Sequence, residues 1–344
     1  MLNNQAPSTK HQIISNIQCP NIKREHRFGY SVIGNWNLFD YCKLVIGIFI
    51  FVFLNGCQSQ QLYKDNRVMM GTFVEVVSAD KRAGGIVFEE IKRIENLLSK
   101  YNPQSEVSQL NKLGKLKVSP ETFYIIKKAI EFWRLSDGAF DITVAPLVDL
   151  WGFTGKKYNL PKDEEIKNTL KLVGSEKIIL HDSNNMVEFK TPGTKIDLGA
   201  IAKGYAVDRA VKKLKEAGIN SCLINAGGQI YCLGDNFGTP WKVAIKNPRG
   251  RTFMGYLKLK DKAVATSGDY EQWFFKNNKR YSHIFNPKTG YPADSGIVSV
   301  TVIAQDGLTS DALATAILVL GKARGKAITK KFPDIEVKII EKKQ

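Results

Sequence analysis

Long apolar runs are scarce in this 344-residue sequence. The one that stands out, Leu44–Leu54 (LVIGIFIFVFL), has eleven residues, too few to cross a bilayer core as a stable helix. Histidine is scarcer still: there are four, and only His181 and His283 follow that run. No low-complexity segment or linker appears after residue 65, which excludes a string of loosely tethered modules. Although the formal net charge is +17, the lysines are spread along the chain and no basic run carries interleaved aromatics. The pattern excludes the usual nucleic-acid footprint and leaves a lysine-rich surface that attracts anionic ligands. What is present is ordinary for a soluble globular protein, 43% hydrophobic and 24% charged, with ample length to bury a core.

The front end has a pattern of its own. Lys43 precedes the apolar run, and Leu54-Asn55-Gly56-Cys57 closes it with an aliphatic residue, a small residue and then cysteine. Residues 1–56 therefore read as a lipoprotein-type signal peptide. Cys57 becomes the lipidated N-terminus, and 57–66 a lipidated start with a polar tether. A buried core helix or a plain anchor is the alternative for the run. The lipoprotein reading places the protein in the cell envelope, lipid-anchored to a membrane on its extracytoplasmic side. The stretch before Lys43 is long for such a peptide, and no Met between Met1 and Met69 offers a nearer ATG start. Cys222 and Cys232 flank INAGGQI, equidistant from Gly227. A tight hairpin would set them opposite one another for a disulfide; the alternative is a pair of buried, unpaired thiols.

Periodicity supplies the remaining elements. Residues 68–79 alternate as one strand, with Phe73, Glu75 and Val77 on one face and Val74 and Val76 on the other. Helical spacing covers 84–100, 120–136 and 160–173, the second ending at Asp137-Gly138 and the third opened by Pro161. Strands are expected at 177–182 and 186–190, then in a long series from 221 to 304. Helix 309–320 and a shorter turn at 325–331 close the chain. Strands in groups and helices in pairs predict an α+β fold. Mostly antiparallel sheets with packed helices would form one compact unit over 67–344, with an internal duplication left open.

The chemistry concentrates in a few segments. In KIDLGAIAKGYAVD (195–208) a short strand carrying Asp197 is expected to break at Gly199 into a helix holding Lys203, Gly204 and Tyr205. A helix N-terminus with small residues lets a phosphorylated ligand approach the backbone. In SDALAT (310–315), Asp311 and Thr315 lie four apart, hence on one helix face. Carboxylate and hydroxyl oxygens suit Mg²⁺ shared with substrate phosphates. The alternative is that Asp311 caps a buried helix. His283 lies in YSHIFNPKTGYP (281–292), where an exposed imidazole could accept the proton of an attacking hydroxyl. His181 reads as a surface residue.

With MGT (70–72) and DGAFDIT (137–143), these segments resemble the bacterial flavin transferases of the ApbE type, in that family's motif order, over nearly everything after Cys57. The resemblance implies an Mg²⁺-dependent transferase that takes FAD as substrate and leaves FMN on a Thr or Ser hydroxyl of a partner protein, releasing AMP. The implied acceptor is a subunit of a membrane redox complex. It implies metal contacts from Asp311, Thr315 and the Ala200 carbonyl, nucleotide contacts from Asp197 and Lys203, and His283 as general base. Met70, Tyr101 and Ala139-Phe140-Asp141 would line the flavin and adenine pockets, with Asp141 accepting hydrogen bonds from adenine or ribose. Phe285 would make a backbone contact. An internal Asp197–Lys203 pair is the competing account of those two residues. At Ala314 some relatives carry a second Asp. Two other activities use the same residues: an FAD pyrophosphatase, with water as nucleophile, and a non-enzymatic flavin-binding protein.

Overall fold

The computed structural model describes residues 61–342. The Leu44–Leu54 run and Cys57, with the signal and lipidation readings attached to them, lie outside those residues. Fourteen strands are present among them. Seven of these, β1 (Tyr63–Met69), β2 (Thr72–Ser78), β6 (Cys222–Ala226), β7 (Gln229–Leu233), β10 (Lys262–Gly268), β13 (Ile297–Ala304) and β14 (Glu336–Glu341), form one antiparallel sheet in the order β1-β2-β6-β7-β10-β13-β14. Three small antiparallel sheets join β3 (Lys115–Lys117), β5 (Met186–Phe189) and β4 (Ile178–His181); β8 (Trp241–Lys246) and β9 (Phe253–Leu259); and β11 (Trp273–Lys276) and β12 (Lys279–Ser282). The helices are α1 (Ala83–Leu98), α2 (Glu106–Leu113), α3 (Pro120–Leu135), α4 (Ala145–Leu150), α5 (Asp163–Leu170), α6 (Ala202–Glu216), α7 (Gly307–Leu320) and α8 (Lys322–Thr329). The α+β expectation holds.

The sheet has two covered faces. Val74, Val76, Ile224, Ala226 and Val300 face the main core with α1, α6 and α7. Val77, Ile230, Cys232 and Val264 face the other way, under the β8–β9 hairpin with Trp241, Val243 and Leu257. The period-two pattern of β2 is therefore real: Val74 and Val76 enter the main core and Val77 the second cluster, while Phe73 on that second face is exposed.

Several expectations fail for local reasons. The single strand read over 68–79 is two strands joined at Met70-Gly71, both with left-handed φ (50° and 69°), pairing Met69 with Thr72. Such a turn matches strand twist, and Gly71 adopts it without strain. Because β1 begins at Tyr63, strand occupies part of the stretch read as tether. The residues around Asp197 form no strand; instead the Asn111 side chain donates to the Ile196 carbonyl (2.8 Å) and accepts from its N–H (2.7 Å), taking the part of a neighbouring strand. α7 starts two residues early because Asp306 accepts from the Thr309 N–H at 2.7 Å. The helix read over 160–173 shrinks to Asp163–Leu170, its start set by Glu165 accepting from the Lys162 N–H. Cys222 pairs in register with Leu233, and Cys222 and Cys232 lie on opposite faces of the sheet. They are free, and their places on opposite faces exclude the disulfide alternative; burial pushes both thiols up to about 12.

Candidate functional site

Two helix N-termini meet and build the site. A Cβ on Gly204 would sit 2.1 Å from the Gly307 carbonyl oxygen, so α6 and α7 touch backbone to backbone where only glycine fits. Their polar ends interlock. Asp208 of α6 accepts from the N–H groups of Gly307 (2.6 Å) and Leu308 (2.9 Å), while Asp311 of α7 accepts through Oδ2 from the Gly204 N–H at 3.0 Å. Each helix thus satisfies orphan donors of the other. Asp311 therefore does not cap its own helix, a task done by Asp306 and Asp208. Its Oδ1 lies 3.7 Å from Lys203 Nζ, which donates to the Gly199 carbonyl at 3.0 Å. One turn along, the Thr315 hydroxyl hydrogen-bonds Ser267 at 3.1 Å.

The Asp197–Lys203 pair, the competing account of these two residues, is not formed. Asp197 pairs with Lys100 at 2.9 Å, while Lys203 reaches Asp311. Burial pulls the Lys100 ammonium down, but the Asp197 carboxylate more than reverses this and leaves its pKa above the usual lysine value. Asp197 Oδ1 also accepts from the Gly199 N–H, which shapes the turn into α6. Tyr101 stands beside this pair, 64% exposed, its ring 5.1 Å from Lys100 Nζ.

His283 closes the constellation. It follows β12, its N–H donating to the Gln272 carbonyl at 3.0 Å, and its Nδ1 lies 3.2 Å from the same oxygen. A carbonyl only accepts, so Nδ1 carries the hydrogen and Nε2 presents its lone pair. Burial drives the imidazole down to about 4; the nearby Lys203 charge adds to this, and Asp197 opposes it. Glu271 lies one residue before Gln272. Burial, with the Asp311 charge, pushes it up to about 7 against Lys203 and Lys246. Its side chain still reaches solvent. The charge of Lys203 acts on both His283 and Glu271, and His283 is tied to the Gln272 carbonyl next to Glu271, so these side chains share one neighbourhood.

The 139–141 segment departs from expectation. Asp141 is buried, with Oδ1 accepting from the Thr143 N–H (2.8 Å), Thr143 Oγ1 (2.6 Å) and Ser175 Oγ (2.7 Å), and Oδ2 accepting from the Ser175 N–H (3.1 Å). Burial raises its pKa and these bonds oppose the rise. The carboxylate is committed to the framework rather than held ready for adenine or ribose. Ala139 and Phe140 are core residues, Phe140 packed edge-on against Phe132, so only their backbone is available. Phe285 likewise buries its ring against Trp151 and leaves its backbone for contact. Met70 sits in the β1–β2 turn, its N–H bonded to Glu95 at 2.7 Å. A recess of about 490 Å³ lies between the DGAFDIT and NPKTG segments, lined by Trp133, Gly138, Asp141, Gly174, Pro287 and Lys288.

The profile of the ApbE family matches residues 70–339, nearly all of the described chain. This chain belongs to the ApbE family. It is 34% identical to the FAD:protein FMN transferase of Klebsiella pneumoniae over 291 residues, covering 82% of this chain and 90% of that one. The Vibrio cholerae FAD:protein FMN transferase is 36% identical over 246 residues, covering 69% and 73% of the two chains. Among solved structures, the ApbE protein of Thermotoga maritima superposes with a TM-score of 0.76 at 38% identity, over 82% of this chain and 94% of that one. The flavin transferase ApbE of Vibrio cholerae gives 0.75 at 32%, over 83% and 94%. The chain is therefore an enzyme of the transferase class, and a flavin transferase.

In this ApbE-family enzyme Lys203 lies beside Asp311, Thr315 is one turn along the same helix, the charges of Lys203 and Asp197 act on His283, and Ala200 is in the turn entering α6. Ala314 is fully buried in the main core, so at this position the helix faces apolar packing rather than a ligand. Sequence reasoning missed Lys100, Ser267, Glu271 and Asp208. Lys100 adjoins Tyr101 in sequence and Asp208 closes the 195–208 segment, whereas nothing local marked Ser267 or Glu271.

Proposed function

We propose that the enzyme transfers FMN from FAD to a Thr or Ser hydroxyl of a partner protein, with Mg²⁺, and releases AMP. The observation that carries the reading is the placing of Lys203 against Asp311 at the junction of two helix N-termini, with neutral His283 within reach of the Lys203 charge, so that a diphosphate meets a cation, an open carboxylate oxygen and a base. The relatives named FAD:protein FMN transferase support the substrate and the acceptor class.

The residues fit Mg²⁺. Among the described residues no cluster of three His, Cys, Asp or Glu side chains forms a dedicated metal cage. A buried carboxylate with Oδ1 free of backbone donors, a hydroxyl one turn on and the Ala200 carbonyl give hard oxygen ligands. A cation that keeps waters and shares substrate phosphates needs few of them. When bound, Mg²⁺ would offset the diphosphate charge and polarise the phosphorus. Lys203, beside Asp311, would add a further positive charge facing the diphosphate. Lys100 holds Asp197, and through it the Gly199 turn, in place. His283 Nε2 takes the proton from the acceptor hydroxyl as its oxygen attacks the phosphorus on the FMN side, and the bond to the AMP phosphate breaks. We further propose that Cys57 is lipidated and tethers the enzyme at the cell envelope, facing an acceptor in a membrane redox complex. The sequence pattern 54–57 supports this.

Incubation with FAD and Mg²⁺, with and without a Thr-bearing acceptor domain, tests the reaction. AMP with flavinylated acceptor is expected. AMP with free FMN and an unmodified acceptor would identify an FAD pyrophosphatase instead.

A further inference from the structure

The outer face of the β8–β9 hairpin is unlike the rest of the surface. Residues 241–260 contain six cations, Lys242, Lys246, Arg249, Arg251, Lys258 and Lys260, and no Asp or Glu. Trp241, Val243 and Leu257 point into the core, so the alternate residues point outward. The register sets Lys242 against Lys258 and Ala244 against Tyr256 on that outer face. Phe253, Met254 and Tyr256 are 42%, 56% and 55% exposed, a cluster of large apolar side chains with no cover among the described residues. Lys242 Nζ stands 4.1 Å above the Tyr256 ring, and neither Lys242 nor Lys258 has an ion-pair partner among the described residues.

The hairpin turn is tied to the segment that carries Glu271 and Gln272. Arg249, in its turn, grips Asp269 through two bonds of 2.8 and 2.6 Å, two residues before Glu271. Lys246 lies 5.6 Å from the Tyr270 ring, and its charge acts on Glu271 together with that of Lys203.

We propose that this face docks the acceptor protein through an acidic surface bearing exposed apolar side chains, and so delivers the hydroxyl to His283. The proposal rests on the transferase reading above. Charge complementarity argues for an acidic partner, and aromatic and Met side chains are those that interface centres favour. An anionic lipid surface would also meet cations and aromatics. A protein is favoured because Arg249 ties the hairpin to Asp269, in the segment whose Gln272 carbonyl holds His283, the residue that the hydroxyl has to reach.

The test uses one Thr-bearing acceptor domain in two versions, with Asp/Glu around the Thr or with Asn/Gln in their place. Binding to the full-length enzyme is measured without FAD, and transfer is measured separately. The acidic version should bind more tightly, and its affinity should weaken as salt rises. Lys242→Glu with Lys258→Glu should raise its Kd and the acceptor KM on the order of tenfold, with the KM for FAD unchanged. Lys242→Gln with Lys258→Gln should give a smaller shift in the same direction and guards against misfolding. Lys-dependent binding with no flavin on the acceptor would keep the docking face and sink the transferase reading. Equal binding of both versions, or unchanged binding by both variants, would overturn the docking face. So would loss of binding to phosphatidylglycerol vesicles with acceptor affinity intact, which would assign the face to lipid.

Discussion

Two buried carboxylates, Asp311 and Asp141, lie in motifs that the sequence marks equally for chemistry, and their surroundings separate them. Asp141 receives four hydrogen bonds from Thr143 and Ser175. Asp311 receives one, from the Gly204 N–H, and turns its other oxygen toward Lys203 at 3.7 Å. A carboxylate whose acceptor sites are filled by its own chain holds loops together. One with an open oxygen beside a cation can hold a ligand. The unfilled hydrogen-bonding capacity, more than burial or motif, tells the functional carboxylate from the structural one.

The largest effect should come from closing the open side. Asp311→Asn keeps an oxygen for the Gly204 N–H and removes the charge. FAD cleavage should fall roughly 10³-fold or more, the several kcal/mol that a charged metal ligand supplies, with little change in Tm. Near-wild-type AMP release from the folded variant would remove Asp311 from the site.

His283→Ala should lower transfer by about 10²–10⁴-fold, the usual worth of a positioned base, and leave FAD affinity nearly intact. Because burial holds the imidazole near 4, it is neutral at pH 7 and already able to accept a proton. The wild-type rate should thus persist well below pH 6.5 and fall only as pH approaches about 4. The same depressed pKa makes a stability contribution that is complete above about 6.5 and is lost as pH falls toward 4, because the unfolded chain binds the proton first. A rate that halves near pH 6.5, tracked in buffers that keep the fold, would contradict the buried neutral base.

Asp141→Ala attacks the filled side. Four donors lose their acceptor, and unsatisfied buried donors cost about 1–3 kcal/mol each where water cannot replace the partner. Tm should drop, while the turnover of the remaining folded enzyme and its KM for FAD stay near wild type. A variant with unchanged Tm and a raised KM for FAD would return Asp141 to the nucleotide site.

Much of this contrast could not be read from the chain. Helices α1, α3 and α6 follow from apolar spacing, and the Asp311–Thr315 spacing put two ligand types on one helix face. α2 escaped because Glu106–Leu113 is short and buries only Val107 and Leu110, too little to raise a periodic signal. β14 escaped because its residues alternate only between exposed and partly buried at the edge of the sheet. The Met70-Gly71 turn was hidden inside a run that alternates straight through it. The exchange of partners, Lys100 with Asp197 and Lys203 with Asp311, depends on contacts across 97 and 108 residues of sequence, which no local pattern encodes. Local spacing shows which residue types share a face; which ones meet is a property of the packed fold.

The same distinction runs through the aromatic residues, and the smallest predicted effect tests it. Phe140 and Tyr101 both stood as candidates to line the flavin and adenine pockets. Phe140 is 1% exposed and packs on Phe132, so Phe140→Ala should cost about 3–5 kcal/mol of stability as a core truncation. Tyr101 is 64% exposed beside the Lys100–Asp197 pair, and its ring is free to stack on a planar heterocycle. Tyr101→Ala should leave Tm unchanged. An aromatic pair is worth about 0.5–1.5 kcal/mol beyond buried area, so the KM for FAD should rise by roughly two- to tenfold with kcat little altered. Tyr101→Phe should restore most of the affinity, because the stacking face remains and only the hydroxyl is lost. If Tyr101→Phe is as weak as Tyr101→Ala, the hydroxyl rather than the ring makes the contact. If neither changes KM, Tyr101 does not touch the substrate.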